Sequence, residues 1–313
     1  MDNRFFRWRG IDESPTGIFP RVLLKQLPPI DVRYFVGVLL HLDQMLPGAG
    51  LTFFLTWHLD RFREEMKDAA VILVGNEYTK MPSYQSRVRV IFKTGGLQRI
   101  PLRNTLRLPA SIASRVLLRD ARNAVFRIKR RAEYRLPRNY VTPAYDIPVG
   151  TGALLDAHLP SVEQRTIDVF FAGGTSSGWG LRARAAARKQ MATAVESARV
   201  ALPQCRMESQ LGRDAFGMTL TPATYAHCLA NSRIALIPRG NVDAESWRLL
   251  EAAKLGCVMV TEPLPPQWYF QDCPAVSSRK WSLLPGVLRD LLHDPSTLAK
   301  SFGMRDRLPP AEA

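Results

Sequence analysis

The chain has 313 residues, 46% of them apolar and 23% charged, a length and balance that exclude wholesale disorder and favour two domains over one. Lys and Arg outnumber Asp and Glu by 43 to 28, giving a net charge of +15. That excess directs attention to anionic partners: nucleic acid, nucleotide phosphates or an acidic membrane surface. Cys205, Cys228, Cys257 and Cys273 form no C-x-x-C pair, so neither a zinc site nor a disulfide framework is expected, and the four read as free thiols in a reducing compartment. The first nine residues lack the apolar core of a signal peptide. The most apolar stretches, 34–42 and 51–57, fall short of the ~18 residues a membrane span needs. A soluble, cytoplasmic chain is expected, with peripheral contact at a membrane left open.

In chain order, the first thirty residues mix charge, aromatics and prolines and read as an irregular lead-in. Residues 31–46 carry Val32, Phe35, Val36, Leu39 and Leu40 at helical spacing, stopped by Pro47-Gly48. Residues 51–57 read as a short strand, 58–67 as a polar helix, and 71–75 and 88–92 as buried strands. Residues 111–134 read as a long helix with an apolar stripe of Leu117, Ala121, Ala124, Val125 and Ile128. Pro137, Pro143 and Pro148, followed by Gly150-Thr151-Gly152, mark a hinge. The expected domains are therefore 1–160 and 161–313. In the second, strands are expected at 167–172, 234–237 and 257–261, and helices at 181–199, 246–255, 281–292 and 296–302. Strand, polar turn and helix in alternation indicate an α/β fold with parallel sheets.

The charge is unevenly spread. Residues 99–138 hold twelve Lys and Arg against Asp120 and Glu133, so +10 of the total sits in forty residues. Three readings stand side by side. The segment is a helix that packs its apolar stripe and solvates its charge, or a surface for an anionic membrane or a lipid-linked, phosphate-bearing acceptor, or a nucleic-acid site. The last is disfavoured because the window has few aromatics and no known nucleic-acid-binding pattern.

Two segments carry chemistry. In the first, the run Phe170-Phe171-Ala172 leads into Gly173-Gly174-Thr175-Ser176-Ser177-Gly178. Small residues between a strand and a helix let an anion approach backbone N–H groups, and Arg182 follows to bind phosphate. A bare strand–helix turn explains the same residues. In the second, residues 232–238 end in a polar loop holding Arg239, Gly240 and Glu245, followed by Ser246, Trp247, Arg248 and Glu251. The loop falls at the carboxyl end of a strand, where open α/β sheets bind ligands. Ser246 is a natural N-cap whose hydroxyl suits a phosphate, Arg239 and Arg248 supply charge, and Glu251 suits ribose hydroxyls. The alternative is that the two glutamates only favour the helix N-terminus.

The stretch Ser232…Pro238-Arg239-Gly240…Ser246-Trp247-Arg248…Glu251-Ala252…Gly256-Cys257-Val258-Met259-Val260 resembles the exostosin family of glycosyltransferases. That family's pattern runs Ser-x-Phe-x-Leu-x-Pro-x-Gly, Ser-x-Arg and Gly-Cys-Ile-Pro-Val. Ile147-Pro148-Val149-Gly150 is similar to its Ile-Pro-Leu-Gly, and Arg165 with Phe170-Phe171-Ala172-Gly173 to its Arg…Phe-Phe-x-Gly. Met259 stands where the family has proline. The resemblance covers residues 146–304 and implies a GT-B fold, two Rossmann-like domains whose parallel sheets face each other across a cleft. It further implies a nucleotide-sugar donor held mainly by the second domain and a glycan or lipid-linked acceptor. Gly173, Gly174, Arg182, Arg239, Gly240, Glu245, Ser246, Arg248 and Glu251 would bind the donor. The diphosphate would be neutralised by arginines and backbone, with no cofactor and no metal, in keeping with the absence of any Asp-x-Asp. The general base is expected from the first domain: Glu77, or less favourably His58 or His158. Two other readings remain beside this one, a GT-B-like binding protein without catalysis and a basic nucleic-acid or membrane-surface adaptor.

Overall fold

The computed structural model describes residues 3–8, 16–17, 33–56, 61–74, 82–94, 113–114, 117–118, 121, 124–125, 142–148, 150, 159–174, 182–212, 220–238, 246–264, 268–270 and 273–294. The chain forms two compact units, Met1–Gly150 with Pro266–Tyr269, and Thr151–Pro265 with Phe270–Ala313.

In the first unit the strands are β1 (Arg4–Trp8), β2 (Thr16–Gly17), β3 (Thr52–Thr56), β4 (Ala70–Leu73), β5 (Val90–Thr94) and β6 (Ala144–Ile147). They form a sheet in the order β2-β1-β3-β4-β5-β6, parallel except for the β1–β2 pair. Helix α1 (Arg33–Met45) precedes β3 in the chain. Its Phe35 and Leu39 are buried with Phe5, Phe53, Leu55, Ile72 and Val74 on one sheet face, the i, i+4 spacing placing both on one side of the helix. Phe54, Val71 and Ile91, out of phase with those residues, pack the other face with Met66 and Tyr84.

Gly150 closes this unit with φ +82, and a Cβ there would fall 2.5 Å from Tyr34 Cδ1. Both the backbone sign and the ring demand glycine. That is the structural content of the Ile147-Pro148-Val149-Gly150 run.

Several sequence expectations for this unit change. The lead-in contains β1, whose Arg4–Trp8 pairs in register with Thr52–Thr56. The expected helix at 58–67 is, among described residues, a single 3₁₀ turn at Glu64–Met66. Met66 is the one side chain that this turn buries, so no apolar stripe holds a longer helix. The proline-rich stretch contains β6, since Pro143 and Pro148 flank that strand and leave its ladder intact.

The second unit has β7 (Ile167–Gly174), β8 (Met207–Gly212), β9 (Ser232–Ile237), β10 (Val258–Thr261) and β11 (Val276–Ser277), all parallel, in the order β11-β10-β9-β7-β8. Numbered from the unit's first strand this is the doubly wound order 2-1-3-4-5. Helices α2 (Arg182–Ala201) and α5 (Leu284–His293) cover one face. Met191, Ala194, Val195 and Ala198 of α2 are buried there at helical spacing. Helices α3 (Pro222–Ala230) and α4 (Trp247–Lys254) cover the other with Leu229, Leu249 and Ala252. Thr221 caps α3 by accepting from Thr224 N at 3.1 Å, with Pro222 in the first turn. The expected helix at 296–302 lies outside the described residues.

One buried cation ties these layers together. Arg165, 3% exposed, donates from Nη2 to Leu255 O at 2.7 Å and from Nη1 to Ser232 O and to Gly256 O at 3.3 Å. A guanidinium on the carbonyls of the C-cap Leu255 and of Gly256, just past α4, satisfies acceptors the helix cannot reach and offsets its negative end. We expect Arg165→Met to lower unfolding free energy by about 3 kcal/mol in urea titrations, because charged hydrogen bonds are lost and buried carbonyls left bare.

Cys257 lies beside it, its thiol donating to Leu229 O at 3.2 Å. Burial pushes this thiol up to about 11, Arg165 opposing only in part. The unfolded chain releases this proton first, near 9. The thiol's stabilisation is therefore complete below pH 9 and falls as pH rises to about 11. Replacing it by Cys257→Ala is expected to flatten the alkaline limb of stability against pH.

Candidate functional site

In a doubly wound sheet, ligands enter outside the carboxyl ends of the strands where the order reverses. Here β8 lies on one side of β7 and β9 on the other, so the reversal is at β7 and β9. Strand β7 ends in Gly173-Gly174, and β9 ends at Ile237 before the loop that precedes α4.

Two sequence-expected residues far apart in the chain meet at this edge. Arg248, in the first turn of α4, donates from Nε to Ala172 O at 2.8 Å. A Cβ on Gly173 would lie 3.0 Å from Arg248 Nη2 and 3.0 Å from Phe171 Cζ. The glycine thus lets the guanidinium rest on the end of β7. Arg248 makes no other hydrogen bond or ion pair among the described residues, which leaves its terminal nitrogens available to an oxyanion.

Ser246 is the N-cap of α4, with φ −149 and ψ 155, but its hydroxyl makes no capping bond. It is 9% exposed, and its Oγ has no hydrogen-bond partner among the described residues. A buried hydroxyl without a partner costs about 1–3 kcal/mol, so one at a helix N-terminus marks a place for an acceptor atom. No acidic side chain occupies the first turn of α4 to offset the positive helix end. Thr261, at the end of β10 in register with Ile237, is also fully buried, and its Oγ1 has no partner among the described residues. Sequence reasoning missed Thr261, because a threonine ending an apolar strand has no distinguishing pattern.

Glu251 is 5% exposed and accepts from Tyr225 Oη at 2.8 Å. Burial, then the neighbouring carboxylate, holds the Tyr225 phenol well above its ordinary value, so it remains the donor. The carboxylate expected to meet ribose is thus engaged by α3, and Tyr225 is a second residue that the sequence did not disclose. Gly174 continues β7 in register with Gly212, and Arg182 begins α2. Glu77, His58, His158, Arg239, Gly240 and Glu245 lie outside the described residues. A cavity of about 570 Å³ at the amino edge of the first sheet, lined by Phe62, Lys67, Arg87 and Arg89 among others, holds none of the expected residues.

No family model matches the chain, and no curated protein matches it. Among solved structures it is similar to a GtfA/B complex at 11% identity and TM-score 0.44, covering 87% of this chain and 56% of that one. It is likewise similar to the pneumococcal O-GlcNAc transferase GtfA in complex with UDP and GlcNAc, at 12% identity with the same coverage and TM-score. The chain therefore spans just over half the length of both.

Gly173→Ala tests the packing of this edge. Phe171 is buried and cannot give way freely, so the variant is expected to lose about 1–3 kcal/mol of stability in urea unfolding and to displace Arg248.

Proposed function

We propose that the chain is a metal-independent glycosyltransferase of GT-B type, moving a sugar from a nucleotide-sugar donor to a glycan or lipid-linked acceptor. The observation that carries this reading is the unpartnered, buried Ser246 hydroxyl at the N-terminus of α4, two residues from an arginine fixed on the end of β7. Hydroxyl donor, helix N-terminus and guanidinium are complementary to a diphosphate. Their place at the strand-order reversal is where nucleotides enter such sheets.

In this reading the bond between the anomeric carbon and the diphosphate oxygen breaks, and its electron pair leaves on the diphosphate. Arg248, Arg239, Ser246 and the Gly173-Gly174 backbone stabilise that charge, a task preorganised donors perform without reorganising. Arg182 and the Gly240–Glu245 loop complete the donor site. The acceptor hydroxyl forms the new bond and gives its proton to Glu77. Glu251 contributes by holding the α3–α4 contact through Tyr225. The exostosin resemblance, which covers residues 146–304, supports the assignment of the donor-site residues.

Thermal denaturation with UDP, GDP or CMP, in the presence of EDTA, tests the donor site. One nucleotide is expected to raise Tm, since saturation at about 100 Kd stabilises by about 2.7 kcal/mol. Arg248→Ala and Ser246→Ala should abolish the shift, while Glu77→Gln should keep the shift and lose sugar transfer. No stabilisation by any nucleotide overturns the reading. A shift that vanishes with EDTA overturns its metal independence.

A further inference from the structure

Among the buried serine and threonine side chains of the second unit, two donate to main-chain carbonyls: Ser232 to Cys228 O at 2.6 Å and Ser278 to Lys280 O at 2.9 Å. Ser246 and Thr261 do not, and neither oxygen has a partner among the described residues. Both stand at the carboxyl edge of the sheet. Thr261 ends β10, and Ser246 caps α4, the helix between β9 and β10 in the chain. They also share a face. Val258 and Val260 of β10 pack with α2 and α5, whereas Met259 packs with Ile237 and with Leu249 and Ala252 of α4. By the period of two along a strand, Thr261 stands with Met259 on the side of α4. The N-terminus of α4 thus has two buried, unpartnered hydroxyls on its side of the sheet, one from its own cap and one from the neighbouring strand.

The strand order sets how far the polar groups of this edge reach. Thr261 ends β10, Nη2 of Arg248 lies against Gly173 of β7, and β9 runs between those two strands. Neighbouring strands are about 4.8 Å apart, so hydroxyl and guanidinium stand on the order of 10 Å from each other. A single tetrahedral phosphate making hydrogen bonds of about 2.8 Å falls short of touching both. Two joined phosphates reach. Uncharged hydroxyl donors at a helix N-terminus suit the phosphate farther from Arg248.

We propose that Thr261 is a donor-site residue whose hydroxyl, together with that of Ser246, binds one phosphate of a diphosphate while Arg248 binds the other. This role rests on the reading of the edge as a nucleotide-sugar site and adds a selectivity to it, for two linked phosphates over one. Both oxygens are shielded from solvent, so an oxyanion reaches them through a local opening of this edge. It then binds where water is excluded and a charge-assisted hydrogen bond is strong.

The test is calorimetric titration of the full chain with inorganic pyrophosphate and phosphate, and with UDP and GDP against UMP, GMP and CMP, in wild type, T261V and T261S. Wild type is expected to bind pyrophosphate at least about tenfold more tightly than phosphate. T261V is expected to weaken pyrophosphate and nucleoside diphosphate binding by about tenfold and phosphate binding by less than about twofold, as for loss of one hydrogen bond to a charged acceptor. T261S keeps the hydroxyl and is expected to bind as wild type does. Unliganded T261V is expected to keep or raise Tm, because valine has the shape of threonine without a hydroxyl to leave unpaired. A Tm lower by several degrees overturns the proposal, the hydroxyl then being bonded within the fold. Undiminished diphosphate binding by T261V, or a wild-type preference for a monophosphate such as CMP, overturns it and leaves the donor reading standing. Pyrophosphate binding that T261V weakens, with no nucleotide bound, upholds the two-phosphate site and overturns the donor reading. Wild type that binds none of these ligands overturns both.

Discussion

The second unit depends on the burial of Arg165 against backbone carbonyls. A guanidinium removed from water requires acceptors, and Leu255 O, Gly256 O and Ser232 O supply them. Those acceptors belong to the carboxyl end of α4 and the start of β9, so one cation from the segment entering β7 sets where the helix stops relative to two strands. At the other end of the same eight-residue helix, Arg248 bonds Ala172 O of β7. The helix is thus held at both ends by arginine–carbonyl contacts to or from the β7 segment. Its N-cap can therefore leave the Ser246 hydroxyl without a partner, because the helix is positioned by other bonds.

This arrangement separates what stabilises from what binds. Charge at the amino edge of the second sheet is used internally: Asp168 takes Arg233 Nη1 at 3.0 Å and the backbone N–H of Arg206 at 2.9 Å, pinning β7, β8 and β9 in register. At the carboxyl edge, the terminal nitrogens of Arg248 make no hydrogen bond among the described residues, and the buried hydroxyls of Ser246 and Thr261 have no partner among them.

The chain's positive charge follows a different division. Most of the excess lies in residues 99–138, whereas the arginines at the candidate site are few and spread along the sequence. Net charge reports on long-range attraction to an anionic surface. It says little about a site in which a single guanidinium is placed by one carbonyl and one glycine.

The alternation of apolar strands with glycine-ended turns and amphipathic helices was enough to read an α/β chain, the strands near 167–172, 234–237 and 257–261, and Ser246 as an N-cap. Those features are local: a strand's burial, a helix's period and a cap's chemistry are written in neighbouring residues. β1 escaped because arginines interrupt its aromatics, β8 because it is largely polar and β6 because prolines flank it, and all three become strands only through the neighbour they pair with. Tyr225 and Thr261 escaped for the same kind of reason, since a hydroxyl's partner, or its lack of one, depends on segments distant in sequence. By itself the sequence determined the apolar strands and amphipathic helices of the second unit, the charged segment and the residue types able to meet a diphosphate. Only the tertiary structure decided that Arg248 rests on Gly173, that Glu251 is engaged by Tyr225 and that Leu117 and Val125 are exposed. Each of these is a contact, or a missing contact, between surfaces that covalent order does not bring together.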